Sequence, residues 1–159
     1  VTFRLGRHRS RGAAVAIVLA AVILGGCSPY SGTTAQKVQQ WASQNSFVAN
    51  HDQIVADITL VHKAVAAGSA KVVRTICGGL ASDVGTAYVT LPTPDQTLTN
   101  DLNDADTTVV NASTSCSGVR SVHSGSMAAD LALFNTALAD LRKAQQRLAA
   151  LGITWKIRL

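Results

Sequence analysis

The chain has 159 residues, 14 of them Lys or Arg and 9 acidic, and aromatic residues make up only 4%. Four basic residues, Arg4, Arg7, Arg9 and Arg11, crowd the beginning, so beyond position 26 ten basic residues face nine acids, all of them aspartate. A nearly neutral body with no basic run is excluded from the general nucleic-acid binders, and its size suits one domain with a modest core.

After the four arginines comes an uncharged apolar stretch from Ala13 to Gly26 that stops at Leu24-Gly25-Gly26-Cys27. A basic end, a short apolar run and small residues before a cleavage point form the layout of a secretory signal. The stretch is shorter than the ~20 residues a membrane-crossing helix needs, which makes an uncleaved signal anchor the lesser alternative. A secreted chain cut elsewhere is another. Leu24-Gly25-Gly26-Cys27 resembles the bacterial lipobox, and that resemblance implies cleavage after residue 26 and a lipid on Cys27. Two acyl chains on that cysteine hold a protein firmly to a bilayer, whereas one holds it weakly. Val1 fits initiation at a GTG codon, a habit of high-GC bacteria, as does the wealth of alanine.

With Cys27 assigned to lipid, Cys77 and Cys116 are left, and an exported compartment permits a disulfide between them. Such a loop of about 40 residues stabilises by roughly 4 kcal/mol on the chain-entropy view. A redox pair is normally closer in sequence and a metal site needs more ligands.

Residues 27–34, with Pro, Gly, Ser and Thr, read as a tether, followed by a helical domain over 35–152 and a tail over 153–159. A short first helix carries Val38 and Trp41, and Phe47 is expected to fold against the main body. Asn50 is placed to cap the next helix, whose stripe is Ile54, Ile58, Val61 and Val65, with Gly68 as its stop. His51, Asp52, Asp57 and His62 have no metal-ligand spacing and are read as solvated.

The next helix, from about Ser69 to Tyr88, turns Val73, Cys77, Leu80, Val84 and Ala87 inward. Its glycine pair, Gly78-Gly79, is expected to mark a kink or a close helix approach, and it lacks the pattern of a phosphate loop. In Leu91-Pro92-Thr93-Pro94-Asp95-Gln96 the expected cap is Thr93, with Pro94 in the first turn and Gln96 closing a capping box. The stripe Leu98, Leu102, Ala105, Val109, Ala112, Cys116 follows, and Asp101, Asp104 and Asp106 are assigned to a solvated acidic face rather than a calcium loop. If the two helices turn back at Pro92, Cys77 meets about residue 108, so the disulfide is expected to require that the helix end before Cys116 and the chain fold back.

Ser124 or Ser126 caps the last helix, which has the stripe Met127, Leu131, Phe134, Leu138, Leu141, Gln145, Leu148 and ends near Gly152. The tail Ile153 to Leu159 alternates like a strand but has no partner strand in the sequence, so it reads as a segment laid along the bundle or a docking segment. The whole predicts an all-α protein, an antiparallel four-helix bundle with a short extra N-terminal helix.

The order of signal, Trp41 and Phe47, Gly68, the Cys77 helix, Leu91-Pro92-x-Pro94-Asp95 and Cys116 before a long last helix resembles small exported helical proteins and lipoproteins of actinobacteria. The resemblance implies an extracytoplasmic, membrane-anchored chain and supplies no catalytic residues or cofactor. No serine elbow, nearby thiol–imidazole pair or metal-ligand array is present, so a non-enzymatic binding or structural module is the expectation. Its partners are then the membrane, through the lipid on Cys27, and an envelope protein. Arg142, Arg147, Trp155 and Ile157 are the candidate surface residues. The alternative is a carrier of a small apolar ligand between alanine-rich helices.

Overall fold

The computed structural model describes residues 29–157; Cys27 and the end of the tail, Arg158 and Leu159, lie outside the described residues. Five helices follow one another: α1 Thr34–Gln44, α2 Phe47–Ala66, α3 Ala70–Tyr88, α4 Gln96–Cys116 and α5 Gly125–Ala150. The described residues form no strand. The last four helices form the expected antiparallel bundle. Neighbours α2/α3, α3/α4 and α4/α5 pack along their lengths, whereas α2 and α5 barely touch, and α1 is a light addition against α2. No helix of the described residues is long and apolar enough to cross a membrane.

The stripes read from the sequence are the buried ones: Ile54, Ile58 and Val61 on α2, Val73, Cys77, Leu80, Val84 and Ala87 on α3, and Leu98 through Cys116 on α4 all lie in the core. Val65, Leu131 and Gln145 are half-buried at its edge. Left-handed glycines end two of the helices, Gly68 (φ 74°) after α2 and Gly152 (φ 76°) after α5. Ser124 caps α5, its hydroxyl accepting from the Met127 N–H.

Several local expectations are corrected. The second helix begins at Phe47, not Asn50, because Ser46 takes the left-handed conformation (φ 51°) and turns the chain sharply out of α1. Asp95, not Thr93, caps α4, its carboxylate accepting from the Leu98 N–H at 2.9 Å, while the Thr93 hydroxyl is used inside the turn by the Asp95 backbone and Thr99. Gln closes a capping box at another place, Thr33 with Gln36, at the head of α1. Gly78 and Gly79 face open space within an unbroken α3, so they mark no close helix approach.

The Cys77–Cys116 disulfide forms, with Cα atoms 5.9 Å apart, and α4 runs unbroken to Cys116. No fold-back is needed because the connection from Val89 to Asp95 carries the chain past the end of α3 before α4 begins. With Cys77 opposite Cys116, Tyr88 stands level with about residue 105, and roughly the first two and a half turns of α4 project beyond α3. A groove shared by Gly85, Tyr88, Thr107 and Val110 has the same register. The projecting turns are covered by α5, where Arg147 clasps Asp95, while α1 reaches the connection ahead of them, the Trp41 indole N–H donating to the Thr90 carbonyl at 2.8 Å.

Candidate functional site

The seam between α2 and α5, where the bundle is not closed by direct helix packing, holds the most unusual side chains of the molecule. Phe47 opens α2, and its ring centroid lies 5.1 Å from Trp41, 4.4 Å from His51 and 5.1 Å from Trp155. Trp155 belongs to the tail. Its indole N–H donates to Asp52 Oδ1 on α2 at 2.9 Å, and its carbonyl accepts from Gln145 Nε2 on α5 at 2.9 Å, so one residue bridges the two helices. Aromatic contacts of this kind contribute about 0.5 to 1.5 kcal/mol each beyond burial itself.

Beneath this cluster His51 and Asp106 face each other across the bundle interior, Nε2 to Oδ1 at 3.6 Å, with 1% exposure on each side chain. His51 Nδ1 lies 3.1 Å from the Phe47 carbonyl, which only accepts, so Nδ1 carries a proton. A neutral imidazole therefore offers its bare Nε2 to a carboxylate. The contact becomes attractive when a second proton sits between the two, on His51 or on Asp106. Neither His51 Nε2 nor either oxygen of Asp106 has a hydrogen-bond partner. Both residues were assigned to solvent from the sequence, and both are core residues.

Two further aspartates are buried on the inner faces. Burial pushes the Asp130 carboxyl above its ordinary range, only partly offset by the Ser115 hydroxyl, and Asp130 Oδ2 has no partner. Burial likewise raises Asp57; Gln53, which donates to it at 3.0 Å, works in the opposite direction, and the neighbouring Asp83 adds to the rise. Among the described residues no group of three or more His, Cys, Asp or Glu side chains is close enough to hold a metal ion.

The four residues proposed for a surface part company. Trp155 is 4% exposed and belongs to the core, because the tail folds back into the α2/α5 seam. Arg147 is held by Asp95 through two contacts, Nε to Oδ1 at 3.0 Å and Nη2 to Oδ2 at 2.6 Å, and this pair ties α5 to the cap of α4. Arg142 and Ile157 do share a feature, an open groove of about 360 Å³ completed by Gln145, Gln146 and Ala149. Cys27 lies outside the described residues, but the chain just after it is anchored: Ser31 exchanges two hydrogen bonds with the Gln40 side chain, and the Tyr30 hydroxyl accepts from Asn45.

What sequence reading missed had a signal. His51 falls three and four before Ile54 and Val55, Asp106 four after Leu102 and three before Val109, and Asp130 three after Met127 and four before Phe134. Each sits on an apolar stripe, where helical periodicity buries whatever residue occupies the position. Comparison with protein-family models, curated proteins and solved structures returns no match to this chain.

Proposed function

We propose that this chain is a lipoprotein anchored through Cys27 at the extracytoplasmic face of the cell membrane, where its helical bundle acts as a non-enzymatic binding or structural module. The observation that carries the reading is the buried Cys77–Cys116 disulfide, a bond that persists in oxidising compartments, in a chain that begins with a signal-like segment ending at Leu24-Gly25-Gly26-Cys27. The short connection between Cys27 and the hydrogen-bonded Ser31 supports a domain held close to its anchor rather than on a long leash. His51, Asp106 and Asp130 are buried among the apolar side chains of the core. Fractionation tests the reading: in a bacterial host the wild-type chain should pellet with membranes, and Cys27→Ala should release it while leaving the bundle folded. Membrane association unchanged by Cys27→Ala contradicts it.

The carrier alternative draws on the apolar groove of about 280 Å³ between α3 and α4, lined by Gly85, Tyr88, Thr107 and Val110. Its test is native mass spectrometry of the protein from its host: a bound small apolar molecule lost on Val110→Gln favours the carrier, and a bare protein disfavours it.

A further inference from the structure

The aspartates, unlike the basic residues, are spread unevenly along the bundle, which leaves one end with cations alone on its surface. The α2–α3 turn and the α4–α5 loop share one end, joined by Arg74 Nη1, which donates to the Val119 carbonyl at 3.0 Å. At that end stand Lys63 on the last turn of α2, Lys71 and Arg74 on the first turns of α3, and Arg120 in the loop, all exposed. None of the four is in an ion pair; the pairs found among the described residues involve His51, Lys143 and Arg147. The only aspartate in that end is Asp130, which is 3% exposed. The other eight lie farther down. Asp57 and Asp83 interact with each other near mid-bundle, Asp52 and Asp106 lie beyond them with His51, and Asp95, Asp101, Asp104 and Asp140 are nearer the opposite end. Two helix N-termini and two C-termini meet at the cationic end, so the helix dipoles largely cancel and the potential there comes from the side chains.

The opposite end receives the N-terminal segment, since α1 packs there through Trp41 and Thr90 and carries Ser31 with it. The 26 residues of α5 separate the two ends by ~39 Å. If Cys27 is lipidated, on which this orientation rests, the cationic end points away from the anchoring bilayer. Four separate cations on three segments suit a flexible chain of repeated charges better than one compact ligand.

We propose that this end, Lys63, Lys71, Arg74 and Arg120, is a docking face for a repeating anionic polymer of the envelope that carries phosphate or carboxylate groups. Binding is expected to be mainly electrostatic and to weaken steeply with salt as counterions return to the polymer.

The test uses full-length protein extracted in a neutral detergent, with long-chain inorganic polyphosphate as the phosphate probe and polygalacturonate as the carboxylate probe. One or both should bind at low salt. The charge-reversed variant Lys63→Glu/Lys71→Glu/Arg120→Glu should lose about tenfold or more in affinity, whereas Arg142→Glu/Lys156→Glu, at the other end, should stay within about twofold. All substituted side chains are exposed, and circular dichroism checks that the bundle survives. Which polymer binds separates the two anion sources. Binding of neither, equal loss in both variants, or binding through these residues only to phosphatidylglycerol vesicles overturns the proposal. Intact mass of the same preparation keeps the two readings apart: polymer binding at this end by a chain without lipid removes the anchor and leaves the docking face, and a lipidated chain that binds neither polymer does the reverse.

Discussion

Asp106 is fully buried, with no hydrogen-bond partner and the His51 imidazole 3.6 Å away, an arrangement in which each group is tolerable because of the other. Removing one leaves a buried polar group alone, which costs about 3 to 5 kcal/mol, whereas replacing both with apolar groups of similar shape can be nearly neutral. Denaturant unfolding should therefore show large losses for His51→Phe and for Asp106→Leu, and a much smaller loss for the double variant than their sum. Additive losses would mean the two side chains do not interact. Asp130 gives a pH-dependent case. Its folded pKa is raised by burial above the unfolded value, so its favourable contribution is full below about pH 4 and is lost as pH rises through the raised value. Asp130→Asn should thus stabilise the bundle more at pH 7 than at pH 4, by about 1 kcal/mol at neutral pH. Asp95 behaves in the opposite sense. The Arg147 hydrogen bonds hold its carboxyl below the ordinary range, so its contribution is present above about pH 4 and is lost as pH falls through the lowered value. Asp95→Ala removes both a helix cap and this pair and should cost about 1 to 2 kcal/mol at pH 7, with the deficit shrinking in acid.

At the level of elements, helical periodicity carried most of the legible information. Stripes at spacings of three and four identified the core faces of α2 to α5 because the same side-chain geometry that places residues on one face also buries them. The starts of helices were less legible. Thr93 and Asp95 are both good caps, and the choice between them depends on Thr93 finding Thr99 and on Asp95 finding Arg147, a partner 52 residues away. The offset of α4 against α3 was hidden for the same reason: it depends on α5 covering the projecting turns and on Trp41 of α1 holding the connection at Thr90. The tail also depends on distant residues, since Trp155 fills a seam that exists only after α2 and α5 are in place. Trp155→Ala should cost about 3 kcal/mol or more through the lost ring and its contacts with Phe47 and His51, measured by denaturant unfolding. A loss below about 0.5 kcal/mol would show that the tail is an ornament to the fold rather than its closure. Cys77→Ala/Cys116→Ala should lower stability by about 2 to 4 kcal/mol without changing the helix content, because the bond constrains mainly the unfolded chain.

The whole molecule is a rod with different chemistry at its two ends. One receives the N-terminal segment, the tail and most of the aspartates; the other carries four exposed cations that no aspartate neutralises. A linear sequence conceals this segregation, because Lys63, Lys71, Arg74 and Arg120 are separated by whole helices and only the hairpin topology brings them to one end. The signal-like segment and Cys27, by contrast, form one contiguous stretch, so the export reading rests on the sequence alone. On the reading proposed above, the buried disulfide, a lipid on Cys27 and the cationic end of the bundle would make a module displayed outward from a membrane. Intact mass of the chain extracted from membranes of its host tests this most directly, taken before and after reduction and compared with Cys27→Ala. The expected result is a chain beginning at Cys27 with a diacylglyceryl increment that Cys27→Ala abolishes, and a gain of two hydrogens on reduction of Cys77–Cys116. An unmodified chain that begins elsewhere, or free thiols at Cys77 and Cys116 before reduction, would contradict it.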